Sequence, residues 1–308
     1  MARRNKKGRD ITGIVIVDKP TGHSSNHILQ QVKRLFDAKK AGHTGSLDPL
    51  ASGVLPVCLG EATKLSGYLL DADKQYQVTC KLGITTDSGD ADGEVINETP
   101  VPDFSEQQLR DILSAFIGEQ EQVPPMFSAL KHQGQPLYKL ARQGIEIERK
   151  SRRIHIYDIT LLDVGKDGFT LSVRCSKGTY IRTLVEDISH QLGCGGHVTM
   201  LRRTAVAGYV LKDAITLDKL KALAEQDEQT SLDNTLVPAH EALPDWPVIS
   251  LDEAMTKQLG FGQSVQTEQD FECANVRLFD YNGQFLGLGE MMPDGVVMPK
   301  RLFVNAVS

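Results

Sequence analysis

Asp48 is held between Leu47 and Pro49 in a stretch that also carries Gly42, Gly45 and Gly53. Glycine supplies backbone freedom while proline stiffens the acid's own flank, a combination that aims a carboxylate in one direction. Asp-Pro is also a favoured start of an ordinary turn, so spacing alone leaves both readings open. A second run, Ser176-Lys177-Gly178-Thr179-Tyr180-Ile181-Arg182, falls where a strand gives way to a helix. Its backbone N–H groups and two cations could receive a phosphate or a carboxylate. Arg182 reads equally as a solvated helix residue, and Tyr180 and Tyr76 as core aromatics with a wet hydroxyl.

Other chemistries fail on spacing. A phosphate-binding loop needs a lysine after its second glycine, whereas Gly42 and Gly45 are followed by Ser46. A calcium loop aligned on Gly93 places Asp90 and Asp92, but puts Ser88 first and Thr99 where a bidentate glutamate belongs. Cys194 and His197 form one pair without a second at zinc spacing. No metal and no cofactor are expected.

The elements that must position these residues follow from periodicity. Ile11 to Val17 read as a buried strand ended by an Asp18-Lys19-Pro20 turn. Ser24 or Ser25 caps a helix whose face is Ile28, Leu29, Val32, Leu35 and Phe36. Val54 to Leu59 make a short strand, and Ala62, Leu65, Tyr68 and Leu69 suggest a helix. Tyr76, Val78, Cys80 and Leu82 alternate with polar neighbours, the period of a half-buried strand. An acidic turn, TTDSGDADG, ends it.

A helix is expected near Ser105 to Ile117, strands over Ile154 to Val164 and Phe169 to Cys175, and a helix through Ile181, Leu184, Val185, Ile188 and Leu192 closed by Gly193. Between Pro124 and Arg153 lies a loop-like basic insertion with Lys131, Lys139, Arg142, Arg149, Lys150, Arg152 and Arg153 against Glu146 and Glu148. The main domain is expected to span 1–220. An acidic, Pro-containing connection covers 221–250, and a small module 251–308 carries a two-residue hairpin signal at Asn282-Gly283.

The net charge of −6 means that any polyanion must be met by local patches such as this insertion rather than by overall charge. The basic start (Arg3, Arg4, Lys6, Lys7, Arg9) is not followed by an apolar signal core. No apolar run approaches the ~20 residues of a membrane span. Five scattered cysteines (Cys58, Cys80, Cys175, Cys194, Cys273) argue against a disulfide framework. A cytoplasmic protein is expected.

The runs GHTGSLDPLASGVLPVCLGEATK and CSKGTYIRTL together resemble the two signature segments of the TruB family, the bacterial tRNA pseudouridine-55 synthases. The Lys19-Pro20 and DADG turns match in order and spacing, and the resemblance covers about Ile11 to Leu220. It implies an α+β fold, a mixed and largely antiparallel sheet with flanking helices around a catalytic cleft, followed by a PUA-type β module. It implies uridine isomerisation at position 55 in the T-arm of tRNA by a monomer that needs no metal or nucleotide. Carried over residue by residue, the nucleophile or base falls on Asp48, the ion-pairing arginine on Arg182 and the stacking tyrosine on Tyr76. Tyr180, His43 and Leu201 match positions around the flipped uridine. Two rivals are a non-catalytic RNA-binding or RNA-folding protein on the same scaffold, and a carboxylate-dependent hydrolase. The latter usually wants a second carboxylate, and Asp48 has no evident acidic mate in the sequence.

Overall fold

In a computed structural model, which describes residues 8–225, 229–269, 271 and 275–303, the alternation at Tyr76 becomes the spine of the molecule. The basic residues Arg3, Arg4, Lys6 and Lys7, the thiol of Cys273 and Ala274 lie outside the described residues.

The first part of the chain forms β1 (Gly13–Lys19), α1 (Ser25–Leu35), β2 (Ala41–His43), β3 (Ser52–Leu59) and β4 (Lys74–Leu82). It continues with α2 (Glu106–Ala115), β5 (Gly118–Gln122), β6 (Arg152–Gly165), β7 (Gly168–Cys175), α3 (Ile181–Gln191), β8 (Gly196–Val206), β9 (Tyr209–Val210), β10 (Ile215–Thr216) and α4 (Leu217–Glu225). These strands build a ten-stranded sheet ordered β10-β1-β3-β8-β4-β7-β6-β5, with β2 on β3 and β9 on β8. Only β1 with β10 and β3 with β8 run parallel; the other pairs are antiparallel. The fold is therefore the mixed, largely antiparallel α+β class expected.

Local chemistry explains the boundaries. Ser24 accepts the His27 N–H at 3.2 Å and starts α1, and Ser105 with Gln108 forms a reciprocal capping box on α2. Gly193, at φ +86°, ends α3 in the left-handed region. Apolar faces of α1 and α4 cover β1 and β3, while α2 and α3 cover β4, β7 and β6.

Several expectations change. Asp18 and Lys19 stay in β1 instead of turning, because Lys19 is wholly buried and its ammonium donates to backbone carbonyls. The helix around Ala62 is split into a 3₁₀ turn, Gly60–Leu65, and a five-residue helix, Ser66–Leu70. The insertion is not featureless: residues 131–132 and 135–136 pair, and Leu137–Ala141 is a helical turn. Its Arg152 and Arg153 already belong to β6.

The segment around Val237 to Ala242 lies on the sheet. Ile14 and Val237 exchange backbone hydrogen bonds at 2.9 and 2.8 Å, and Ala239 and Ala242 pack with Ile14, Ile16 and Leu65. A second sheet follows, with strands β11 (Val248–Ser250), β12 (Val265–Gln266), β13 (Asn275–Phe279), β14 (Phe285–Met291) and β15 (Val296–Leu302) in the order β11-β13-β14-β15-β12. Its hairpin is wider than Asn282-Gly283 alone suggests. Asp280 Oδ1 accepts the N–H groups of Asn282 and Gln284, and Gly283 takes positive φ without Asn282 doing so, so a two-residue type I′ turn does not form. Arg277 donates to the carbonyls of His240, Pro244 and Trp246, tying this sheet to the preceding segment.

Gly53 is the tightest point where β3 meets β8. At φ +104°, a Cβ there would lie 2.2 Å from the Arg203 carbonyl oxygen. Gly53→Ala should therefore lower stability by more than about 2 kcal/mol in denaturant unfolding. A loss below about 0.5 kcal/mol would show that the strand backbone adjusts freely.

Candidate active site

Asp48 sits in the loop between β2 and β3, and that loop is clamped at several points. Ser25 Oγ, from the first turn of α1, accepts the Leu47 N–H at 2.7 Å and donates to the Leu47 carbonyl at 3.0 Å. The Gly22 N–H reaches the Pro49 carbonyl at 2.8 Å. Lys19 Nζ donates to the carbonyls of Ala51 at 2.5 Å and Pro20 at 2.9 Å. Backbone on both sides of Asp48 is thus held from outside the loop, leaving the carboxylate as the part that projects.

Arg182 stands in the first turn of α3 and approaches Asp48, Nε to Oδ2, at 3.0 Å. Its side chain is 4% exposed against 41% for Asp48, so the arginine is confined to the wall while the acid reaches the cleft. The other guanidinium nitrogens donate to the carbonyls of Ser88, in the acidic turn, and of Phe127, in the insertion. Asp90 Oδ2 lies 3.7 Å from Arg182 Nε, and its Oδ1 accepts from Ser88 Oγ and from the Asp92 N–H. The acidic turn that nearly spells a calcium loop is instead folded against this arginine.

A cleft of about 320 Å³ opens over the pair. Among its walls are Asp48, Tyr76, Tyr180, Arg182 and Leu201, five of the six residues singled out in the sequence. His43 is not among them; it is half-buried on β2 with its Nδ1 unpartnered. Burial, then the charge of Arg203, lowers its pKa below 6.5 and keeps the imidazole neutral at pH 7. Tyr76 is buried among core residues, yet it also forms part of the cleft wall. Tyr180 is fixed through its backbone, its N–H donating to Gln122 Oε1 at 2.8 Å and its carbonyl accepting from Gln122 Nε2 at 3.0 Å. The Arg152 guanidinium covers the Tyr180 ring at 4.6 Å.

Sequence reasoning missed Lys19 as a loop clamp, Ser25 as a staple, and the cleft residues Lys74, Arg152 and Arg203. For Arg203 a signal existed. In β8 it falls two residues from Leu201, on the inward phase of a strand, where a charge is out of place. Among the described residues no group of three or more His, Cys, Asp or Glu side chains is placed to hold a metal ion.

Residues 33–181 match the TruB family pseudouridylate synthase N-terminal domain, 182–244 the tRNA pseudouridylate synthase B C-terminal domain, and 247–303 the C-terminal domain of pseudouridine synthase II TruB. The chain belongs to the TruB family. It is similar along its length to tRNA pseudouridine synthase B of Nitrosococcus oceani, with 52% identity over 303 residues covering 98% of each chain. The tRNA pseudouridine synthase B of Actinobacillus pleuropneumoniae serotype 5b is 51% identical, covering 98% of this chain and 99% of that one. Membership in the TruB family makes this chain an isomerase. In fold it is similar to a solved chain of a Cbf5-Nop10-Gar1 complex, at TM-score 0.72 and 23% identity over 96% of this chain and 86% of that one. A chain of an H/ACA RNP bound to a substrate RNA containing 2′-deoxyuridine also gives a TM-score of 0.72, at 22% identity over 98% and 91%.

Electrostatics set the state of Asp48. Desolvation by the cleft walls pushes Asp48 above its ordinary 3.8; Arg182 opposes this, Asp90 adds to it and Lys19 opposes it. A folded carboxyl that keeps its proton to a higher pH favours folding in acid, and that contribution is lost as pH rises through the folded value. The ionised form accordingly dominates only above a pKa higher than 3.8. Asp90→Asn removes a like charge, so the Asp48 midpoint in a carboxyl carbon NMR titration should fall toward 3.8. An unchanged midpoint would remove Asp90 from the electrostatics of the site.

Proposed function

We propose that this TruB-family enzyme converts the uridine at position 55, in the T-arm loop of tRNA, to pseudouridine, with Asp48 as nucleophile or base. The observation that carries the reading is the Asp48–Arg182 pair, a half-buried carboxylate held by a buried cation in the wall of a cleft, in a chain about half identical to tRNA pseudouridine synthases B. An arginine beside a carboxylate favours the ionised form, which can attack or abstract a proton. The reaction breaks the bond from uracil N1 to ribose C1′, turns the base, and joins C5 to C1′. The hydrogen lost from C5 is balanced by the one gained at N1, so no electrons enter or leave.

A base stacked in a loop must first be extruded, which costs a few kcal/mol, and an aromatic wall such as Tyr76 recovers part of that by stacking. Tyr180 and Leu201 supply the neighbouring walls. His43, half-buried on β2 and outside the cleft wall, is assigned to the RNA beside the flipped base rather than to the base itself. The 251–308 module and the basic insertion extend the RNA footprint, and a monomer in the cytoplasm suffices for the reaction. No helix among the described residues is long and apolar enough to cross a membrane.

Asp48→Asn keeps the shape and loses the charge, so turnover of unmodified tRNA transcript should vanish while tRNA affinity stays nearly intact. Pseudouridine mapping that finds even about a tenth of the wild-type rate would remove Asp48 from the chemistry; modification at a site other than 55 would redirect the specificity.

The cations of the insertion divide into two kinds. Arg149 pairs with Glu146, Arg153 lies 3.7 Å from Glu121, Arg142 stands over the Tyr138 ring at 5.6 Å, and Arg152 is committed to Gly178 and Tyr180. Lys131, Lys139 and Lys150 are exposed and free to meet phosphates. Changing these three to Gln should weaken T-arm stem-loop binding about equally across sequences. The log-log salt slope should flatten by up to about 0.7 to 0.9 for each phosphate that is no longer neutralised, with little change in rate at saturating RNA. Unchanged affinity and slope would move the footprint to the C-terminal module.

A further inference from the structure

Arg203 heads the largest fully buried side chains of the described residues, and it is a cation. In β8 it is the register partner of Tyr76 on β4 and of Gly53 on β3, so it lies at the centre of the sheet directly under the cleft. Nε–H donates to the Val54 carbonyl at 2.7 Å and an Nη2 hydrogen to the Gly45 carbonyl at 3.3 Å. Both acceptors are neutral. Arg182 has Asp48 and Arg202 has Asp18, but among the described residues no carboxylate pairs with Arg203.

A buried guanidinium without a counter-ion is costly, since desolvation is offset only by hydrogen bonds to dipoles. The surrounding groups register its charge. Burial lowers Lys19, Lys74 and His43, and Arg203 lowers each of them further. Burial raises Tyr76, and the charge of Arg203, its register partner across the strand pair, opposes that rise. The site thus holds a fixed positive charge with no paired carboxylate among the described residues, in strand register with the ring proposed to stack the substrate.

We propose that Arg203 is a positioning residue of the isomerisation, set beside Tyr76 by strand register and holding the Gly45 carbonyl at the cleft floor, while its unpaired charge stabilises negative charge on the detached uracil. When the N1–C1′ bond breaks, the bonding pair leaves with the base, which carries that charge until C5 bonds to C1′. Arg203 gives and takes no proton or electron. It is a preorganised counter-charge, in place before the substrate arrives and shielded from water, where such a charge acts most strongly. Gly45 connects it to the other half of the site, because the same guanidinium that faces Tyr76 also bonds the loop carrying Asp48. The inference rests on the proposed uridine chemistry.

The test compares Arg203→Gln and Arg203→Lys in the full chain by melting temperature, tRNA affinity and single-turnover rate on unmodified transcript. A buried electrostatic group acting on developing charge predicts a rate loss of about 100-fold or more for Gln, with Lys recovering at least about tenfold because it keeps the charge. Affinity for tRNA should stay within about threefold, as ground-state binding does not use the charge. Equal rates for Lys and Gln, or a rate loss no larger than the loss of affinity, would overturn the proposal. Failure of both variants to fold would do so too, by making Arg203 a folding residue. An inactive Asp48→Asn beside a fully active Arg203→Gln would sink this inference alone, whereas an active Asp48→Asn would sink the reading beneath it.

Discussion

Burial of the Arg182 guanidinium is the constraint from which the site is built. A charge removed from water must have its hydrogen-bonding capacity met, and for Arg182 the partners come from three places outside its own helix. Asp48 belongs to the β2–β3 loop, Ser88 and Asp90 to the acidic turn after β4, Phe127 to the basic insertion, and the arginine itself to α3. These segments are far apart in the chain, so the guanidinium can be satisfied only when the whole sheet has assembled. Stability of the fold and geometry of the carboxylate are therefore the same requirement seen from two sides.

The sheet makes that convergence possible. Antiparallel pairing of β4 with β8 and β7 fixes Tyr76 beside Arg203 and Val173, and the parallel contact of β3 with β8 brings the end of the Asp48 loop to the same strand. A one-residue slip in β4 would turn Tyr76 away from the cleft and present Gln75 or Gln77 instead. Lys19 and Ser25 complete the arrangement by bonding the loop backbone, which lets the loop hold one shape without itself becoming regular structure.

What could be read from the chain beforehand was what repeats or what is rare. The alternation around Tyr76, the helical face before Gly193 and the capping serines all express local rules, and the structure forms them where those rules place them. The two signature runs carried the family, and with it the pairing of Asp48 with Arg182. The clamps were hidden because they are single side chains acting on backbone carbonyls across long separations. Nothing in the Asp18-Lys19-Pro20 sequence shows that the lysine turns inward to Ala51, and a turn was the natural reading. The division of the Ala62 helix was hidden likewise, since apolar spacing does not separate a 3₁₀ turn followed by a short α-helix from one continuous helix. His43 was legible only through the resemblance, and the structure places it half-buried on β2 rather than among the residues of the cleft wall.

The distribution of cations separates binding from chemistry. In a molecule with net charge −6, long-range attraction for a polyanion must be local, and the exposed lysines of the insertion are placed to supply it. Four buried cations in and around the Asp48 site are of another kind: Lys19, Lys74, Arg182 and Arg203 donate to backbone carbonyls or to Asp48. Groups so committed cannot swing out to grip a phosphate, and salt screens them far less than surface charges. Their charge acts at fixed distance on whatever occupies the cleft. Salt should therefore modulate how the RNA arrives, whereas the field in which Asp48 and a flipped base would meet is set by folding itself.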